Sequence, residues 1–218
     1  MHPAIAIANY FFEKSQATGA SVNCAQLQCL TYFAHGLRLA LVNLPLLDEA
    51  VLADKDGVNL ASISAAGIGG NRALTRLLTQ LRPLPNGQLE EVAPALDERD
   101  PAIPTLDTVW ARFGAFSAYD LGVFVRGGGG PWDETWNDPS RLESQLAATA
   151  TEVWQPDASS ERAIVIANSL IRRWFRKLVI QENRDQALAD GLDQTVMVGR
   201  HRLEETANLS PLRHLRSV

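Results

Sequence analysis

Cysteine and basic charge are both scarce in this chain. Cys24 and Cys29 are the 2 cysteines of 218 residues, too few for a disulfide framework. On one helix their spacing sets them about 140° apart around the axis, so they make neither a helical disulfide nor half of a zinc site. They read as reduced, partly buried thiols. The 20 Lys and Arg against 25 Asp and Glu leave a net charge of −5, which argues against general binding to a phosphate backbone. No apolar run approaches the roughly 20 residues that cross a bilayer, and the amino end has no signal-peptide pattern, so the expected location is cytoplasmic. A GxSxG elbow is missing as well, and Gly67-Ile-Gly-Gly70 fits neither GxGxxG nor GxxxxGK. No cofactor and no metal is expected.

What the chain does have is helical periodicity. At 46% hydrophobic and 21% charged, it can build one good-sized core. Ile5, Ala8 and Phe12, widened by Ile7 and Phe11, form an apolar stripe that stops at Thr18-Gly19, so this first helix is expected to be buried on more than one side. Asn23 and Gln26 have the spacing of a capping box. Behind it Leu27, Leu30, Ala34, Leu37 and Leu41 follow one face of a second helix, with Tyr32, Phe33 and Leu39 beside them and Pro45 as the stop.

The stretch 48–106 is less regular. Ser62 to Gly70 reads as a small-residue, flexible tract, after which Asn71 is expected to cap a helix through Leu74, Leu77, Leu78 and Leu81. Pro83, Pro85, Pro94, Pro101 and Pro104 mark a connecting segment, and Asn86-Gly87 between Leu84 and Leu89–Val92 signals a small hairpin. The run Asp97-Glu98-Arg99-Asp100 reads as a solvated loop. Beyond it, Asp107 to Phe113 is expected to be a helix ended by Gly114. Ser117 with Asp120 then caps the next one.

Two of these stretches carry a resemblance. Ile5-Ala-Ile-Ala-Asn-Tyr-Phe-Phe12, Ala25-Gln-Leu-Gln-Cys-Leu-Thr-Tyr-Phe-Ala-His-Gly36 and Leu44-Pro-Leu-Leu47 resemble the opening of the Panacea domain, also called the SocA-like domain, with its "AxxVANYFL", "LKLQKLLYFAHG" and "GxPLF" segments. Asp107 to Leu121 resembles that family's "VWEKYGxLSAxQL". The middle diverges, keeping only Gly57-Val58 of a "YGPV" motif. Phe124-Val-Arg-Gly-Gly-Gly-Gly-Pro-Trp132 keeps the Pro-Trp of a "TH.E.PW" stretch and puts glycines where the family has side chains that hydrogen-bond or titrate. The resemblance covers about residues 4–47 and 107–132. It implies a bacterial antitoxin or phage-associated protein that works by binding another protein, without a shared catalytic residue set, and any chemistry of the missing His does not carry over.

The carboxyl-terminal part reads as two further helices, Pro139 to Val153 and Ser160 to Asp190. The second begins at a Ser160 cap and buries Ile164, Ala167, Leu170, Ile171, Trp174 and Leu178. Arg172, Arg173, Arg176 and Lys177 fall on its other side, where water, an acidic protein partner or nucleic acid are the alternatives. Residues 191–218 read as a tail that is partly disordered or folds on a partner.

The expected architecture is thus mainly α: a Panacea-like helical domain over 1–138 with at most a small β element between Val51 and Val92, a helical extension over 139–190, and the tail. The expected function is a non-enzymatic, antitoxin-like binding module that neutralises a toxin by contact or hands it to a protease. An adaptor, chaperone or immunity protein for a secreted effector or phage component is the alternative, and an unrecognised hydrolase ranks last. Candidate partner-binding residues are Tyr32, His35, Arg126, Pro131, Trp132, Trp136, Arg172, Arg173 and Arg176. His35 reads as a buried polar anchor or a partner contact, since no nucleophile or second His shares its helix. Pro131 and Trp132 suit a core edge or a partner's pocket, with Trp136 adding to the same surface if 133–136 is helical. The glycines before them are expected to form a mobile loop.

Overall fold

Residues 1–67, 72–138, 140 and 163–195 are described by a computed structural model, the side chains of 183–195 excepted. Helix α1 (Ala4–Ala17) follows Pro3 and stops at Thr18, with Gly19 at φ +70° turning the chain away. It is packed by α2, α3 and α4, so Ile5, Ile7, Phe11 and Phe12 are all buried although they do not share one narrow stripe. Asn9, also buried, serves as an internal clamp. Its amide donates to the carbonyls of Leu78 and Pro94 (2.9 Å each) and its carbonyl accepts from the Leu78 amide (2.8 Å).

Helix α2 (Cys24–Val42) starts with the expected capping box. The Gln26 amide donates to Asn23 Oδ1 (2.9 Å) and the Asn23 amide to Gln26 Oε1 (3.0 Å), which satisfies two of the donors a helix start leaves open. The helix ends one residue pair earlier than Pro45 would require, because Asn43 takes the left-handed conformation (φ 58°) that Asn tolerates better than other side chains. Leu27, Leu30, Ala34 and Leu37 are buried as expected. Leu41 is not: it is 56% exposed.

The β content is small, in two pieces. Strands β1 (Leu52–Asp54) and β2 (Gly57–Asn59) form a hairpin whose turn is held by Asp54 Oδ1, accepting from the amides of Asp56 and Gly57. Strands β3 (Gln80–Pro83) and β4 (Leu89–Val92) flank the Asn86-Gly87 turn, pairing Gln80 with Val92 and Pro83 with Leu89. Gly87 sits at φ +80°, a value that glycine reaches without strain. Three expectations fail in this region. Ser62 to Ala66 lies in helix α3 (Ala61–Ala66), its start bonded by Glu49 through the Ser62 amide and hydroxyl. The stretch 72–79 is not helical, because its backbone is drawn off by remote partners: the Leu74 amide donates to the carbonyl of Val22, between α1 and α2, and the Leu78 amide to the side chain of Asn9 in α1, while Asn71, the expected cap, lies outside the described residues. Leu81 is an exposed strand residue.

Helices α4 (Ile103–Phe113) and α5 (Ala118–Val125) meet at Gly114, with Ser117 and Asp120 forming the second capping box. The Gln26 side chain donates to the Phe116 carbonyl (2.9 Å) and fixes this junction to the start of α2. Helix α6 (Pro131–Trp136) begins after the glycine turn, Pro131 occupying a first-turn position whose missing N–H costs nothing.

The last described part also departs from expectation. Ile164 and Val165 form β5, which adds to β1 antiparallel to give the sheet order β2-β1-β5. Helix α7 starts at Asn168 and runs to Thr195, so Ile164 belongs to a strand and Ala167 is exposed ahead of the helix. Helix α7 packs along α2, and Ile166, Ile171 and Phe175 are buried in the same core as α1 and α2. The centre of that core is aromatic: Phe33 lies 4.7 Å from Phe113, 5.4 Å from Phe124 and 6.3 Å from Phe175 between ring centroids, spacings at which such rings attract. Apart from Ser140, the expected helix over Pro139 to Val153 lies outside the described residues, as do the expected Ser160 cap and the 196–218 part of the tail. Among the described residues no helix is long and apolar enough to cross a membrane.

Candidate functional site

Helix α7 divides its side chains by the 3.6-residue period. Ile171 and Phe175 are buried, with Leu178 and Val179 half-buried beside them, while Arg173, Arg176, Lys177 and Ile180 are exposed. Arg173 pairs with Glu134 of α6 at 2.5 Å. Both side chains are about half in water, so this pair contributes at most about 1 kcal/mol. Arg172 donates to Oδ1 of Asn43, the residue that ends α2. Arg176 and Lys177 form no ion pair among the described residues. Ser169, Leu170, Arg172, Arg173, Arg176 and Ile180 line an open depression.

Beneath this face lies His35. Its Nδ1 faces the amides of Leu46 and Leu47, each at 3.3 Å, and its Nε2 lies 2.9 Å from Oδ1 of Asn168. Two donors aimed at Nδ1 make that nitrogen the acceptor, which places the proton on Nε2, donating to Asn168. Burial holds the ring's pKa below its ordinary value, with the Asn168 bond opposing. The neutral imidazole ties α2 to the chain after it and to the start of α7. Tyr32, equally buried, packs edge-on to Phe175 (5.6 Å). Among the described residues its hydroxyl has no hydrogen-bond partner, and burial raises its pKa so that it stays a neutral phenol.

Trp132 and Pro131 are buried too. The Trp132 indole donates to the Asp54 carbonyl at 2.8 Å, closing α6 onto β1, and its ring stacks on the half-buried Trp136 at 6.0 Å and 15°. Helicity of 133–136 thus does bring the two indoles together. The glycine turn ahead of them is tied by Gly130 donating to the Gly127 carbonyl (3.1 Å) and Gly129 donating to Asp133 Oδ2 (2.8 Å). That Gly129 bond, with the Asn137 side chain, lowers the Asp133 pKa.

The nine sequence-derived residues therefore separate. Tyr32, His35, Pro131 and Trp132 face inward and hold elements together. Arg172, Arg173 and Arg176 share one surface of α7, joined through the Arg173–Glu134 pair to α6, the helix that carries Trp136. Arg126 is exposed at the end of α5, where its Nε donates to the Gly122 carbonyl (3.3 Å). Glu134, Asn43 and Asn168 were missed. Asn43 had a local signal, an Asn two residues before a proline at a helix end. Glu134 and Asn168 had none, since their partners are remote in sequence.

These features define a mainly α protein whose most distinctive described surface is basic and borne on one helix. The chain matches no family model, no curated protein and no solved structure.

Proposed function

We propose that this protein is a non-enzymatic binding module of the Panacea kind, acting as an antitoxin that holds a cognate toxin by direct contact or passes it to a protease. One observation carries the reading. The side chains at the centre of the resemblance, Tyr32, His35 and Trp132, are consumed in packing and internal hydrogen bonds, while Arg173, Arg176 and Lys177 of α7 are exposed, the last two without an ion pair among the described residues. A surface of that kind suits contact with another macromolecule better than chemistry on a small substrate, which calls for an enclosed site with convergent polar groups.

The test is co-expression with the product of the adjacent gene. Growth arrest by that product alone, relieved when this chain is present, together with a stoichiometric complex on co-purification, is the expected result. A stable complex with a non-toxic client would move the protein to the adaptor or chaperone class. Neither complex nor relief would remove the antitoxin reading.

A further inference from the structure

We propose that the exposed face of α7, together with the corner of α2 joined to it at Asn43, docks an acidic amphipathic helical segment of a protein partner. The proposal rests on the binding reading above and adds where the partner sits and what its contacting segment is made of. The exposed side of α7 from Ser169 to Gln181 carries Arg172, Arg173, Arg176 and Lys177 and no carboxylate. The first acidic residue of the helix, Glu182, is turned away and bonded to Arg112 of α4 at 2.6 Å. Four cations thus lie side by side on a chain whose net charge is −5. Arg173 already pairs with Glu134 of α6 and Arg172 with Asn43, so among the described residues Arg176 and Lys177 are the two cations left without a carboxylate, and they make the patch complementary to a partner's carboxylates.

Charge is only half of the surface. Ile180 is 52% exposed on the same face, and Leu41, Val42 and Leu44 are exposed on either side of Asn43, which accepts the Arg172 bond. Leucine at 57% exposure beside arginine is what an amphipathic segment covers, with its apolar side on the leucines and its carboxylates on the guanidinium groups. Arginine also favours bidentate contact with carboxylates. A nucleic acid fits less well. The strip from Ser169 to Ile180 is about 16 Å long, short for tracking phosphates, the overall charge repels a polyanion, and leucines offer phosphate nothing.

The test uses the full chain and a fluorescent peptide of about five helical turns with Glu on one face and Leu on the next. Its Gln counterpart, a duplex oligonucleotide and a second copy of the protein are the competitors. The Glu peptide should bind at least about tenfold tighter than the Gln peptide and weaken about tenfold or more as salt shortens the screening length toward 3 Å. Arg176→Glu with Lys177→Glu should remove binding, and Leu44→Ser should weaken it without changing its salt dependence. Arg176→Gln with Lys177→Gln, with an unchanged circular dichroism spectrum, guards against a folding defect and should cost about tenfold. Equal affinity for the two peptides, no binding, displacement by the oligonucleotide, or a protein dimer that the Glu variant dissociates would each overturn the proposal. Retention of a cellular partner by the Glu variant would sink this surface and leave the binding reading standing, whereas peptide binding without any toxin partner would sink the antitoxin reading alone.

Discussion

The ring of Phe175 fills the space that a side chain on Gly36 would need. Its Cε2 lies 2.1 Å from where a β-carbon on Gly36 would stand, so α7 approaches α2 through a notch that only glycine leaves open. Gly36→Ala should destabilise the protein by about 1–3 kcal/mol through overpacking, despite the roughly 1 kcal/mol by which Ala favours a helix over Gly. Urea unfolding reads the loss. Phe175→Leu, which shortens the clashing ring, should reduce the cost of Gly36→Ala by at least about 1 kcal/mol in a double-mutant cycle. Strict additivity would mean that the notch does not set this contact.

His35 gives stability a pH dependence. Its folded pKa is depressed by burial below the ordinary 6.5, so below that value the unfolded chain binds the proton more readily than the folded one. The contribution is complete above pH 6.5 and is lost as pH falls from there through the folded pKa. His35→Gln should cost about 1–3 kcal/mol at neutral pH by disturbing the Leu46, Leu47 and Asn168 bonds. It should also flatten the fall of stability below pH 6.5. An unchanged slope between wild type and variant would show that the ring is not held neutral.

Trp132 tests the reading of the Pro-Trp pair as a structural element. Trp132→Phe removes the donor to the Asp54 carbonyl and should cost about 1–3 kcal/mol, visible as a lower thermal midpoint. Affinity for a partner, measured on the folded fraction, should stay unchanged. A selective loss of affinity with stability intact would put the indole in the interface instead.

Asn9 clamps a stretch that has no regular structure of its own. Asn9→Leu leaves the amide and carbonyl of Leu78 and the carbonyl of Pro94 without their partner, each at a cost of about 1–3 kcal/mol if it stays buried. Amide exchange at Leu78 should accelerate by more than about tenfold, while that of the α2 backbone should follow only the change in global stability. Protection at Leu78 equal to wild type would mean that another group has replaced the clamp.

Much of the fold was legible in the sequence where its cause is local. The Asn23 and Gln26 box, the Ser117 and Asp120 box, the turn at Asn86-Gly87 and the stop at Thr18-Gly19 each depend on residues within a few positions of one another, and all are where the pattern placed them. So is the apolar stripe of α2, the exposed Leu41 excepted. The tertiary structure alone decided the rest. It recruited Ile164 and Val165 as a strand on β1, kept Leu74 and Leu78 out of a helix by bonding them to Val22 and Asn9, and drew α7 into the core through Gly36. It turned His35 and Trp132 from candidate contacts into anchors by supplying Asn168, 133 residues away, and the Asp54 carbonyl, 78 residues away. Periodicity tells which side of a helix is apolar. Which polar group a buried donor meets depends on remote chain brought alongside, and that pairing exists only once the core has closed.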